Sequence, residues 1–162
     1  MSSSKKITIF LADDHPILRS GLRVLLEQEP DMRVVGEAGD GREAIAKVRE
    51  RPPDVLVMDI SMPGLNGIEA TRQITRDFPA TRVVALSVHS SGQFIKDMFK
   101  AGAGGYLLKE SAPEELMAAI RTVMHGEVFL STAIAGQVVS GYLDGEGPDR
   151  QNTLPGQMVS TG

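Results

Sequence analysis

Short apolar runs alternate with amphipathic stretches along the first 130 residues, and this alternation leaves the chain few folds to adopt. Each run has the length and the branched or aromatic residues of a buried strand. The predicted strands are 6–12, 32–37, 54–59, 82–87 and 105–109. Between the runs, apolar residues recur at helical spacing, as Leu18, Leu22 and Leu25 do. Strands that alternate with helices form a parallel sheet with helices on both faces.

Cap and stop residues predict where the helices begin and end. Pro16 suits the first turn of the first helix, and Asp40 with Glu43 forms a capping pattern for the second. Asn66 can cap the third helix, and Gly126 can end the fifth. Because strand–helix–strand crossovers are right-handed, few topologies remain. The most economical is an α/β fold with a doubly wound, five-stranded, flavodoxin-like parallel sheet, in which ligands bind at the carboxyl ends of the strands.

Composition excludes several classes of function. Cysteine is absent, which excludes disulfides, thiolate metal sites and cysteine nucleophiles. Tryptophan is absent and aromatic residues make up 4%, which argues against a base-stacking surface. The net charge of −4 argues against nucleic-acid binding by this chain alone. No apolar run is long enough to span a membrane and no secretion signal is present, so we expect no membrane contact and a cytoplasmic location.

The C-terminal part of the sequence has a different character. Residues 131–143 predict one more amphipathic helix, with Ile134 and Val138 apolar. Residues 144–162 are rich in glycine, proline and polar residues, which is typical of a flexible or disordered tail. We therefore divide the chain into a domain at 1–130, a linker helix at 131–143 and a tail at 144–162.

Charged and hydroxyl side chains occur where the predicted strands end. Asp13 and Asp14 follow the first strand, Asp59 ends the third, Ser87 ends the fourth and Lys109 ends the fifth. Because the carboxyl ends of parallel strands meet at one edge, we expect these side chains to form one site. Crowded carboxylates repel one another unless a cation lies among them, and oxygen ligands favour Mg²⁺, with Mn²⁺ as an alternative. A carboxylate held beside such an ion can attack a phosphoryl group.

Four motifs in the right order resemble the receiver domain of bacterial two-component response regulators. They are ADDHPILRSGL at 12–22, VLVMDISMPGLNGIEA at 55–70, ALS at 85–87 and AGAGGYLLKES at 101–111. The resemblance covers roughly residues 6–131. The DDHP opening and the LLKES ending resemble the NarL/FixJ (LuxR-type) subgroup, whose members are mostly transcription factors.

The resemblance implies the chemistry of the site. Asp59 matches the phosphoacceptor, and Asp13 and Asp14 match the acidic pair that holds Mg²⁺. The backbone carbonyl of Ser61 matches a further metal ligand. A partner sensor histidine kinase would supply the phosphoryl group, and the phosphorylated protein would lose it slowly by its own catalysis. The domain is then a signalling switch and not an enzyme that turns over a substrate.

The resemblance also implies how the switch would act. Lys109 and Ser87 match a lysine and a hydroxyl that contact the phosphoryl group. Tyr106 matches an aromatic that turns inward when the hydroxyl moves. Homodimerisation on phosphorylation is expected, whereas DNA binding would need a C-terminal helix-turn-helix domain that this sequence does not contain. Two positions depart from common receivers: Glu110 replaces a frequent proline, and Val88 is larger than the usual alanine or glycine.

Two other functions remain open from the sequence. A dehalogenase-like phosphatase also uses an aspartate beside Mg²⁺, but Ser61 stands where such enzymes carry a second aspartate as general acid. A pseudo-receiver would bind a protein partner without phosphate, and the complete set of site residues argues against it. His15, before Pro16, is interpreted as part of the helix entry, and His89 and His125 receive no role.

Overall fold

The structure is a computed structural model that describes residues 5–136. Strands and helices alternate along these residues, as the sequence predicts. In chain order they are β1 (Ile7–Ala12), α1 (Pro16–Glu27), β2 (Met32–Ala38), α2 (Gly41–Glu50), β3 (Val55–Asp59), α3 (Gly67–Asp77), β4 (Arg82–Ser87), α4 (Gly92–Lys100), β5 (Gly105–Leu108), α5 (Pro113–Met124) and β6 (Phe129–Leu130).

The strands form one parallel sheet in the order β2-β1-β3-β4-β5-β6. This confirms the predicted α/β fold and adds one strand to the five expected. The added β6 consists of two residues that pair with Gly105 and Tyr106 at the edge of β5. A two-residue strand has no alternation of its own, so the pattern of the sequence gives no sign of it.

The helices pack on both faces of the sheet and produce two apolar layers. Leu56 and Met58 of β3 face the layer that contains buried residues of α2, α3 and α4. Val55 and Val57 face the layer that contains buried residues of α1 and α5. Every residue of β3 is buried, as expected for a central parallel strand with helices on both sides.

The caps hold the helices close to their predicted bounds. The side chains of Asp40 and Asn66 accept hydrogen bonds from the amides of Glu43 and Glu69, which caps α2 and α3 as predicted. The first helix begins at Pro16, as predicted, and ends at Glu27. The amides that follow it bond to carbonyls three residues back, so the last turn tightens and the α-helix stops.

The described chain ends in a short helical segment at 132–136. Ile134 in this segment is fully buried in the layer of α2, α3 and α4. The remainder of the expected linker helix at 137–143, with Val138, and the expected tail at 144–162 lie outside the described residues. The division of the chain at residue 130 therefore stays a prediction. Among residues 5–136, no helix has the length and apolarity needed to cross a membrane.

Candidate functional site

Parallel pairing brings the ends of four strands to one edge of the sheet. Asp13 and Asp14 leave β1, Asp59 ends β3, Ser87 ends β4 and Lys109 follows β5. The strand register sets how far along the sheet these residues lie. Asp59 lies beside Leu86 of β4, and Ser87 lies beside Leu108 of β5. The predicted site residues are thus carried to the same edge from distant parts of the sequence.

Asp59 lies at the centre of the site and has no solvent exposure. Its Oδ2 accepts a hydrogen bond from Lys109 Nζ at 2.8 Å. Its Oδ1 accepts one from the backbone amide of Ser61 at 2.8 Å. A buried carboxylate is stable only when a charge and hydrogen bonds compensate it, and these two donors do so. They also fix the carboxylate at the strand end.

The two aspartates after β1 supply carboxylate oxygens that lack donors. Asp13 is 2% exposed, and its Oδ1 accepts from the His15 amide at 2.8 Å. Its Oδ2 is buried without a hydrogen-bond partner and lies 3.6 Å from Lys109 Nζ. Asp14 Oδ1 is likewise buried without a partner. Unpaired buried carboxylate oxygens are costly, and a hard divalent cation would compensate them, so this donor set fits Mg²⁺.

His15 belongs to this cluster, which the sequence interpretation missed. It is the N-cap of α1, so the predicted place at the helix entry is right, but its side chain makes no capping bond. Instead Nδ1 lies 2.9 Å from Lys109 Nζ, 3.1 Å from Asp13 Oδ1 and 3.2 Å from Asp14 Oδ1. The only signal in the sequence is that His15 directly follows the two aspartates.

Ser87 and Tyr106 are both tied to the loop after β4. Both are fully buried. The Ser87 hydroxyl accepts from the His89 amide at 2.8 Å, and the Tyr106 hydroxyl donates to the His89 carbonyl at 2.8 Å. The Tyr106 ring also packs edge-on against Phe94. Burial raises the pKa of Tyr106 above its ordinary value, and the interaction with the Ser87 hydroxyl lowers this pKa by a smaller amount.

Comparison with known proteins identifies the family of the chain. The family model of the response regulator receiver domain matches residues 9–121. That match covers more than half of the chain. The chain belongs to the response regulator receiver family.

Relatives of this receiver domain place it among LuxR- and NarL-type regulators. It is 42% identical, over 83% of its length, to the uncharacterized transcriptional regulatory protein YxjL of Bacillus subtilis. It is 41% identical to a solved two-component response regulator of the LuxR family from Aurantimonas sp. SI85-9A1, with a TM-score of 0.80. That likeness covers 86% of this chain and 99% of the other.

A longer structural neighbour is the response regulator RcsB of Salmonella enterica, solved bound to a promoter with a phosphomimetic. It is 26% identical to this receiver domain, with a TM-score of 0.78 over 94% of this chain and 73% of RcsB. The present chain spans only 62% of the length of YxjL. Response regulators are signalling proteins, and the receiver is the part of them that this chain matches.

Proposed function

We propose that this receiver domain is a phosphorylation switch in which Asp59 accepts a phosphoryl group from a sensor histidine kinase in a Mg²⁺-dependent reaction. The observation that carries the proposal is the contact between Lys109 Nζ and Asp59 Oδ2, beside buried oxygens of Asp13 and Asp14 that accept no hydrogen bond. Membership in the receiver family supports it. The arrangement joins the Asp59 carboxylate, the Lys109 ammonium and further carboxylate oxygens at one edge of the sheet.

Each residue of the site has a separate role in the proposed phosphoryl transfer. An oxygen of Asp59 forms the new bond to phosphorus while the bond from phosphorus to the donor nitrogen of the kinase breaks. Lys109, already fixed 2.8 Å from Asp59 Oδ2, offers its ammonium group to the negative charge that the phosphoryl oxygens bring. Mg²⁺ held by Asp13, Asp14, Asp59 and the Ser61 backbone carbonyl would supply further positive charge to those oxygens.

Ser87 and Tyr106 form the proposed switch. In this structure the Ser87 hydroxyl accepts from the His89 amide, and Tyr106 is buried with its hydroxyl on the His89 carbonyl. If Ser87 turns toward a phosphoryl group on Asp59, the bond to the His89 amide breaks and the loop after β4 is released on one side. The shared partner His89 therefore couples the hydroxyl to the aromatic.

The proposed partners follow from the same assignment. The kinase is the phosphodonor, and phosphorylation favours a homodimer. DNA binding to control transcription would need residues outside the described chain, as in the longer RcsB that was solved on a promoter. A cytoplasmic location suits a partner of a kinase that uses the cellular nucleotide pool. Catalysis is limited to acceptance of the phosphoryl group and its slow loss.

Mass spectrometry of the intact protein tests the proposal. The full chain is incubated with Mg²⁺ and a small acyl-phosphate donor, beside Asp59→Asn and the matched control Asp77→Asn, which changes a surface carboxylate at the end of α3. We expect the wild-type protein and Asp77→Asn to gain one phosphoryl group and Asp59→Asn to gain none. No gain in the folded wild-type protein would refute the switch and favour a receiver that works without phosphate.

A further inference from the structure

The imidazole of His15 lies among charged groups and makes no hydrogen bond that caps helix α1. The residue is the N-cap of α1, yet its side chain caps no backbone amide. The backbone amide of His15, not the ring, bonds to Asp13 Oδ1 at 2.8 Å. The ring lies over the site with 62% of the side chain exposed. Its position is therefore set by the cluster of Asp13, Asp14, Asp59 and Lys109.

The contacts of His15 Nδ1 place opposite demands on this one nitrogen. Lys109 Nζ carries only donors, so the 2.9 Å contact requires Nδ1 to present its lone pair. Asp13 Oδ1 at 3.1 Å carries only acceptors, so that contact requires Nδ1 to carry a proton. One ring nitrogen cannot do both. The carboxylate oxygens and an imidazole lone pair are metal ligands, whereas the Lys109 ammonium is not. A cation bound to Nδ1 and the carboxylates would therefore replace the contact between Nδ1 and Lys109 Nζ, and Lys109 would keep its bond to Asp59 Oδ2.

The spacing of the atoms fits such an ion. Ligands about 2.1 Å from a metal and at right angles to each other lie about 3.0 Å apart. Nδ1 lies 3.1 Å from Asp13 Oδ1, 3.2 Å from Asp14 Oδ1 and 3.8 Å from Asp59 Oδ2. A ligand atom from each of the four residues lies within 4.8 Å of the others. Asp13 is almost completely buried, and its Oδ2 accepts no hydrogen bond although Lys109 Nζ lies 3.6 Å away, so this oxygen has capacity for a bond to a metal.

We propose that His15 Nδ1 is a ligand of the divalent cation at this site and shifts its preference from Mg²⁺ toward metals that accept nitrogen. Mg²⁺ prefers oxygen ligands. Imidazole nitrogen binds Mn²⁺ better than it binds Mg²⁺, and it binds Ni²⁺ better still. The inference rests on the proposed function for the cation itself. It adds that the metal shell of this chain contains one nitrogen, so the site discriminates among metals by the presence of His15.

Pulsed electron paramagnetic resonance of bound Mn²⁺ tests this directly. A nitrogen that is bonded to Mn²⁺ modulates the spin echo, and the signal reports coordination whether or not phosphorylation occurs. The full chain is loaded with Mn²⁺ and compared with His15→Ala. The matched control is His125→Ala, which removes an exposed imidazole bonded to the Arg121 carbonyl at the end of α5. We expect the nitrogen modulation in the wild-type protein and His125→Ala, and its loss in His15→Ala.

Calorimetric titration gives the second readout. We expect His15→Ala to bind Mn²⁺ about tenfold more weakly, while its affinity for Mg²⁺ changes by about twofold or less. Bound Mn²⁺ without nitrogen modulation, or modulation that survives in His15→Ala, would overturn the inference. If the wild-type protein nevertheless gains a phosphoryl group on Asp59, the proposed function stands and only the role of His15 is lost. Failure of Mn²⁺ and Mg²⁺ to bind at all would overturn both.

Discussion

Replacing Gly67 by alanine is expected to strain the packing beside Asp59. Gly67 is the first residue of α3, and a Cβ at this position would lie 2.7 Å from Ile60 Cβ and 3.0 Å from its Cγ2. Ile60 directly follows Asp59 and is 5% exposed, and its amide donates to the Leu86 carbonyl at 2.9 Å. The new Cβ would therefore press on the branched part of the Ile60 side chain, next to the Ile60 backbone. That backbone is hydrogen-bonded to β4 and cannot move easily.

The expected magnitude follows from two opposing effects. Overpacking of a buried position costs about 1–3 kcal/mol. Alanine in place of glycine inside a helix gains up to about 1 kcal/mol. We therefore expect Gly67→Ala to lower the free energy of unfolding by about 1–2 kcal/mol. The matched control is Gly92→Ala at the first residue of α4, where a Cβ would meet no atom within 4 Å. This control is expected to leave stability unchanged or to raise it by about 0.5 kcal/mol.

Urea unfolding followed by circular dichroism measures the difference between the two variants. Gly67→Ala should unfold at a lower urea concentration than the wild-type protein, and Gly92→Ala should not. Because Ile60 adjoins Asp59, the folded Gly67→Ala protein should also accept a phosphoryl group more slowly than Gly92→Ala. Equal stability of the two variants would refute the reasoning that Ile60 is fixed against α3.

Substitutions at two other positions test individual side chains. Tyr106→Phe removes the hydrogen bond to the His89 carbonyl without a cavity and should cost about 1 kcal/mol in urea unfolding, whereas Tyr106→Ala should cost about 3–5 kcal/mol; equal costs would contradict the buried position of the ring. Arg121 binds Glu29 and Asp31 and lowers the pKa of Asp31. The ion pair between Arg121 and Asp31 therefore stabilises the fold fully above the unfolded carboxyl pKa of about 4. This stabilisation is lost as the pH falls through the lower pKa of Asp31 in the folded protein. Arg121→Ala should therefore lose about 0.5–1 kcal/mol at pH 7 and approach the wild-type stability in strong acid, and a difference that persists there would contradict the ion-pair explanation.

The sequence was sufficient for the chain order of the first five strands and the helices between them, because apolar runs such as VLVM at 55–58 alternate with stretches of helical spacing. Asp59 and Lys109 could be assigned to one site since strand ends in a parallel sheet share an edge. The family resemblance added the roles that residue type alone does not specify. These roles stay predictions, and the structure supplies the contacts on which they depend.

Other features depend on contacts that no local pattern encodes. His15 has the same sequence context whether its ring faces solvent or turns toward Asp13, and its contact with Lys109, which follows β5, forms only in the folded domain. The attachment of Ser87 and Tyr106 to the same residue, His89, likewise needs the loop after β4 to fold back over β5. The short β6 exists only because the edge of β5 offers it backbone partners.

The pairing of β6 ties the backbone of Tyr106 to the chain that leaves the sheet. The Phe129 amide donates to the Gly104 carbonyl at 2.9 Å, and the Ser131 amide donates to the Tyr106 carbonyl at 3.2 Å. Three residues later Ile134 is buried in the same apolar layer as the Tyr106 ring. A shift of the β5 backbone at Tyr106 should therefore weaken the hydrogen bond of the Ser131 amide. The rate at which that amide exchanges with deuterium would then report on motion of β5.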